Sequence, residues 1–338
     1  MRTEDIEEVL THVYRMSIPL RGNPLKELNS YVIKGDREIP EGKNLLIDTG
    51  FCTEECHSAI LEGLAFLGIS LENTDILLTH LHADHAGNAS ELVVSGNKVY
   101  ISEIDRNYLV GTNAENGMIN LHHRRVERIR ENGIPETLIE EMLEKTPSRT
   151  MAGNTSFTDY TDIHEGDELC YGAYTLKGIY TPGHTPGHMC FEIMGTGAMI
   201  LGDHVLFDIT PNITDWVGTP DALGNYLDSL ERINQYDVTI PLPGHRKSGD
   251  FHGRIEKLLV HHKNRLQECE NAIRNLGRAH LYDIAGNMTW KIRTDSWDTF
   301  PAAQRWFALG ECLSHIDHLK KTGRIKEYFD GKYYWYEA

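Results

Sequence analysis

The chain lacks any stretch of about 18 consecutive apolar residues, the length a helix needs to span a bilayer, so no membrane crossing is expected. Its first ten residues, MRTEDIEEVL, are acidic and hold no apolar core of the kind a secretory signal requires. Basic residues are in deficit: 33 Lys and Arg stand against 50 Asp and Glu, a net charge of −17. That balance excludes a general attraction to nucleic acid or anionic membranes. Cysteine is sparse. The six present are scattered, none forms a CxxC pair, and only Cys52 and Cys56 lie close together. Neither a disulfide framework nor a zinc finger is expected, and the six read as free, mostly buried thiols. No linker, low-complexity tract or internal repeat is visible. These absences predict a cytoplasmic globular protein.

What is present suits a layered α/β fold. The 338 residues, 40% of them hydrophobic, are enough for one large domain with a substantial core and a small one. Residues 12–16, 29–33 and 44–50 read as strands between Gly and Pro breaks, 53–68 as a helix, and 75–79 as a buried strand. Residues 103–150 are charged and helical in pattern, a helical insertion that leaves a strand and returns before the next one. Strands resume at 168–181, 189–202 and 238–242, with a helix at 221–235. From residue 254 the pattern turns helical (254–276, 280–286, 299–322) and closes with a β-hairpin turning at Asp330-Gly331.

The histidines carry the chemistry. Thr79-His80-Leu81-His82-Ala83-Asp84-His85 follows an apolar strand directly, so four candidate ligands leave one strand end together. Imidazole nitrogens with a carboxylate suit zinc or a similar cation. His184 and His188 lie in the Pro- and Gly-rich loop 181–188, Asp203 and His204 follow the apolar run 198–201, and His245 follows strand 238–242. Four strand ends that offer His or Asp can build one composite site at one edge of a layered fold.

This pattern resembles the metallo-β-lactamase superfamily over about residues 10–250, most closely its glyoxalase II-like hydrolases. The resemblance implies a four-layered αββα sandwich over residues 1–253. It implies a first metal subsite of His80, His82 and His184, a second of Asp84, His85 and His245, and Asp203 bridging both. Asp84 would also orient the nucleophile, and Asp48 would support the metal loop from behind. The cofactor implied is two divalent metal ions, Zn2+ first, with Fe or Mn as alternatives. A pair of cations lowers the pKa of a bridging water and polarises the substrate oxygen, so no Ser or Cys nucleophile is required. Many exported β-lactamases of the zinc type have Cys in place of Asp203, so antibiotic hydrolysis is not the expected role. His188 and His204 read as hydrogen-bonded support. Arg246 and Lys247 read as an exposed basic pair, with anion binding as the alternative, and the arginines at 124, 125, 128 and 130 as the polar face of the insertion.

Residues 254–338 resemble the small winged-helix-like domain appended to one branch of these hydrolases, through the helix and wing entry at 317–325. They hold 14 basic and 11 acidic residues, against 19 and 39 in the remainder, so the acidity belongs to the catalytic region. The expected activity is hydrolysis of a small thioester, ester or lactone. The alternative is an endoribonuclease or other phosphodiesterase, which the acidic charge opposes. Iron-dependent persulfide oxidation and a non-enzymatic nucleic-acid-binding module rank below both. The expected partners are a small-molecule substrate and a second copy of the chain in a homodimer, with membrane excluded and nucleic acid disfavoured. The insertion is expected to cover the metal site, and the C-terminal region to serve packing or assembly through the aromatic run Tyr333 to Tyr336.

Overall fold

A computed structural model describes residues 5–35, 42–110, 118–145, 157–291 and 296–338. Seven strands form a first sheet in chain order: β1 (Ile6–Leu10), β2 (Val13–Leu20), β3 (Lys26–Ile33), β4 (Asn44–Ile47), β5 (Thr74–Leu77), β6 (Val99–Ser102) and β7 (Tyr160–Ile163). Pairing is antiparallel from β1 to β4 and parallel from β4 to β7. The change comes where β-hairpins give way to helical crossovers: α1 (Glu54–Phe66) between β4 and β5, the short α2 (Ala83–Ala86) between β5 and β6, then α3 (Glu103–Val110), α4 (Met118–Glu131) and α5 (Glu136–Lys145) before β7. The second sheet has the order β12-β11-β10-β9-β8, from β8 (Glu168–Tyr171), β9 (Tyr174–Tyr180), β10 (Met189–Ile193), β11 (Ala198–Gly202) and β12 (Ile240–Pro243). Its one parallel pair, β11 with β12, is joined by a crossover through α6 (Ala222–Ile233). The chain ends in α7 (Phe251–Leu276), α8 (Leu281–Gly286), α9 (Ala302–Lys321) and the hairpin β13 (Lys326–Phe329) with β14 (Tyr334–Glu337).

Three apolar clusters define four layers. Between the sheets, Ile33, Leu45, Ile47 and Leu77 of the first meet Leu176, Phe191, Ile200 and Leu242 of the second. Behind the first sheet, Ile60 and Leu64 of α1 pack on Met16, Ile18, Leu28 and Leu46. Thr53 caps α1 by accepting from the Cys56 amide at 3.3 Å, and Glu54 and Glu55 face its positive end. Behind the second sheet, α6 and α7 cover Ile179, Met199 and Leu201. The molecule is therefore an α/β sandwich of the αββα kind. β4 is buried along its whole length and after Asn44 reads in sequence as an apolar run, because both faces are covered.

The expected strands at 168–181 and 189–202 are each a hairpin. Gly172 (φ +56°) turns β8 into β9, and Gly195 (φ +74°) and Gly197 (φ +72°) turn β10 into β11. A Cβ at Gly172 would stand 2.5 Å from the Lys34 carbonyl oxygen, so the turn needs glycine twice over. The edge strands β1 and β7 escape the sequence reading because polar, half-exposed strands carry little apolar alternation.

The insertion is helical over its described residues, while 111–117 and 146–150 lie outside them. Its arginines are not all a polar face. Arg130 does pair with Glu136 at the surface, but Arg125 and Arg128 turn inward onto Asp215 and Asp317. The reason is the helix turn: 125 and 128 flank the apolar stripe of Val126 and Ile129, which packs into the same core as Leu309, Leu313 and Ile316 of α9. That core continues through α7 and α8 to Tyr336 in β14, whose hydroxyl donates to Asn132 at 2.7 Å. Among the described residues, no helix is long and apolar enough to cross a membrane. All six cysteines are free, four of them buried.

Candidate metal centre

The site lies along one edge of the sandwich, where strand ends deliver polar residues that the apolar strands could not bury. β5 ends at Leu77, and the chain turns through Thr79, His80 and His82 into the single-turn α2, which carries Asp84 and His85. The loop after β9 brings His184, the end of β11 brings Asp203, and the end of β12 brings His245.

Seven side chains meet there. His82 Nδ1 lies 3.1 Å from His80 Nε2 and 2.9 Å from His184 Nε2, so three ring nitrogens converge on one point. Beside them, His85 Nε2 and His245 Nε2 stand 3.2 Å apart, with Asp84 Oδ2 3.4 Å from His245 Nε2. Asp203 lies between the two groups. Its Oδ1 is 3.5 Å from both His85 Nε2 and His245 Nε2, while its Oδ2 faces His184 Nε2 at 3.7 Å. All seven residues named from the sequence are thus gathered in one volume.

The ring orientations are set by what holds the other nitrogen of each imidazole. His85 Nδ1 donates to Asp48 Oδ2 at 2.8 Å, His184 Nδ1 to the Asn212 carbonyl at 2.9 Å, and His245 Nδ1 to the Glu27 carbonyl at 2.7 Å. His80 Nδ1 lies 3.0 Å from Thr79 Oγ1, which donates to Asp48 Oδ2. In each case it is Nε2 that points into the site. Asp48 also accepts from the Thr79 amide at 2.8 Å, and it sits at φ +59°, a left-handed conformation that Asp tolerates better than most residues.

Electrostatics divides the site in two. Burial pushes His82 down to about 3 and lowers His80 and His184, so these three imidazoles are neutral. Burial would also lower His85 and His245, but the Asp203 carboxylate, with Asp48 at His85 and Asp84 at His245, overcomes it and raises both. Asp84 is held down at about 2 against burial by its hydrogen bond to His245 and the charges of His85 and His245. The donor set fits two divalent cations. A shared proton can satisfy one pair of nitrogens but not a converging trio, and Asp203 Oδ1 is buried with no hydrogen-bond partner. Nitrogen and carboxylate donors in such sets suit zinc-like ions.

The two extra histidines differ. His188 supports the site, with Nδ1 2.8 Å from Thr181 Oγ1 and Nε2 accepting the Asp203 amide at 3.2 Å. His204 lies farther back, its ring against His188 and Tyr226 with centroids 5.8 and 5.0 Å away. Arg246 donates to the Pro24 carbonyl at 2.5 Å, and Lys247 is exposed.

Sequence reasoning missed Asp105. It is fully buried in α3 and accepts from the Leu81 amide (2.9 Å), Thr185 Oγ1 (2.7 Å) and the Gly187 amide (2.6 Å), buckling the His80–His82 turn to the His184 loop. The only local signal is Ser102, whose hydroxyl accepts the Asp105 amide at 3.1 Å in a helix-start pattern. Trp216 was also missed. Its indole stacks on His82 with centroids 5.9 Å apart, and Tyr108 of the insertion meets its edge at 5.6 Å.

A two-sheet sandwich with such a site at its edge defines a metallo-hydrolase. The chain belongs to the metallo-beta-lactamase superfamily, whose sequence profile matches residues 27–245. It is 23% identical to the lactamase-like protein adaB of Aspergillus niger, over 91% of this chain and 90% of that one. It is 25% identical to the probable metallo-hydrolase YqjP of Bacillus subtilis, over 91% and 92%. A relative matched over a shorter span, 24% identical over 72% of this chain and 48% of its own length, is the atrochrysone carboxyl ACP thioesterase of Aspergillus fumigatus. Among solved structures, a metallo-beta-lactamase family protein from Thermus thermophilus superposes with a TM-score of 0.79 at 25% identity, covering 98% of this chain and 99% of that one.

Proposed function

We propose that this enzyme is a two-cation hydrolase of a small thioester, ester or lactone. The observation that carries the reading is Asp203, whose two oxygens face two separate sets of imidazole nitrogens. His80, His82 and His184 would hold one cation, Asp84, His85 and His245 the other, and Asp203 both, with Zn2+ as the first expectation. When bound, such a pair supplies an activated water and a Lewis acid for the substrate carbonyl. The chain's own residues do the rest. Asp84, ionised and 14% exposed, would orient the attacking water. Trp216 and Tyr108 form an apolar wall beside His82 on which an acyl group can rest.

A thioesterase among the relatives supports an acyl substrate. The net charge of −17 argues for a small molecule rather than a nucleic acid as partner, and six free thiols suit a reducing, cytoplasmic setting. We read residues 254–338 as a unit that serves packing or homodimer assembly, with Tyr336 turned inward and Tyr328 and Phe329 exposed. Metal analysis of the purified protein, followed by a panel of thioester, lactone and phosphodiester substrates, tests the reading. Two equivalents of metal with acyl hydrolysis support it. Preferential cleavage of a phosphodiester would move the nuclease alternative to first place.

A further inference from the structure

The loop at 212–216 has an unusual set of attachments. On its inner side it holds the first subsite: the Asn212 carbonyl accepts from His184 Nδ1 at 2.9 Å, Trp216 Nε1 donates to the His184 carbonyl at 3.1 Å, and the Trp216 ring lies on His82. On its outer side it is tied to the insertion and to the C-terminal region. Ser314 of α9 donates to the Ile213 carbonyl at 2.7 Å, and the Asp215 amide donates to the Gly310 carbonyl of α9 at 3.3 Å. From α4, Arg125 Nη2 donates to Thr214 Oγ1 at 2.7 Å.

A buried ion cluster closes this arrangement. The Asp215 carboxylate is fully buried and faces Arg125 Nε at 3.5 Å and Arg128 Nη1 at 3.3 Å. Arg128 Nη2 donates to both oxygens of Asp317 in α9, at 2.7 and 2.6 Å. Arg125 is stacked over Trp306 of α9 at 4.6 Å. Three segments distant in sequence therefore share one set of buried charges, with the Arg128 guanidinium spanning two carboxylates. A second observation points to the same place. A Cβ on Gly310 would stand 2.1 Å from Thr214 Oγ1 and 2.4 Å from Arg125 Nη2, so α9 approaches the loop as closely as only glycine permits.

We propose that Asp215 and Arg128 are positioning residues for the first metal subsite: the ion cluster joining α4, the 212–216 loop and α9 fixes the loop that orients His184 and His82. The proposal rests on the two-cation reading of the site. It gives the insertion and the C-terminal helix a shared task, since neither contributes a candidate ligand. Partners of metal-binding histidines affect affinity by about 10–100-fold, and a group acting through such a partner should fall at the lower end.

The test uses the full-length chain with Arg128→Met, Gly310→Ala and Trp216→Phe. Gly310→Ala removes no charge, but its Cβ must displace Thr214 and Arg125, an overpacking that also strains the fold, so thermal stability is measured beside exchange and affinity. Amide hydrogen exchange of residues 212–217 is read on the metal-free proteins, and Zn2+ affinities on the reloaded ones by chelator competition. His184→Ala marks which affinity belongs to the first subsite. The expected result is faster loop exchange and a first-subsite affinity about tenfold weaker in each variant, with the second within about twofold, and partial recovery in Arg128→Lys. Faster exchange with both affinities unchanged overturns the proposal, as does an equal fall in both affinities that tracks thermal stability. A wild-type protein that binds fewer than two Zn2+ overturns the underlying reading and the proposal with it, and the exchange data distinguish that case.

Discussion

His85 Nδ1 lies 2.8 Å from Asp48 Oδ2, with both groups buried. The contact fixes which nitrogen of His85 faces the site. Through Thr79, the same carboxylate also steadies His80 in the other cluster. Asp48→Asn keeps the shape and tolerates φ +59° but loses the charge and one acceptor. We expect a 10–100-fold loss of affinity at the second subsite, measured by chelator competition. Unchanged affinity would refute the supporting role of Asp48.

Asp203→Ala removes the one group that faces both clusters. Metal content should fall from two equivalents toward one. Turnover should drop by about a thousandfold or more, several kcal/mol of transition-state stabilisation. Elemental analysis with steady-state kinetics checks both, and a variant keeping two equivalents and full turnover would show that Asp203 does not bridge.

The two subsites should respond differently to pH. His85 and His245 have raised values, so in the metal-free protein they hold protons near neutrality that a cation must displace. Affinity at the second subsite should therefore climb with pH from 6 to 8. His82, at about 3, and the lowered His80 and His184 have no proton to lose there, so the first subsite should stay level. The metal-free fold shows the opposite trend. Above 6.5 the native state holds more protons on His85 and His245 than the unfolded chain does. The stability they contribute is complete below 6.5 and is lost as pH rises through the raised values. Zn2+ titrations and denaturant melts at three pH values test both signs.

Asp105→Ala leaves three buried donors without an acceptor. At about 1–3 kcal/mol for each unsatisfied group, the variant should lose at least ~3 kcal/mol, visible as a lower urea midpoint. Asp105→Asn, which keeps one acceptor oxygen, should lose less. Equal stability of Asp105→Ala and wild type would show that the buckle contributes nothing.

Much of the candidate site was legible because it is local. His80, His82, Asp84 and His85 leave one strand end within six residues, and His184, Asp203 and His245 each follow an apolar strand. Asp105, Asn212 and Trp216 left no such mark, since their partners are distant in sequence. The glycine turns at 172 and 195–197 were hidden inside apolar stretches that looked continuous.

The sequence by itself determined the layered α/β class and singled out the seven residues that meet at the candidate site, with their donor chemistry. Periodicity and turn chemistry are properties of neighbouring residues, and strand ends fall where apolar runs stop. Only the tertiary structure decided that Arg125 and Arg128 face inward, that Asp105 joins two loops, and that α9 reaches the loop behind His184. Those contacts depend on where separate elements come to rest against one another, and packing of whole elements, not local preference, sets that.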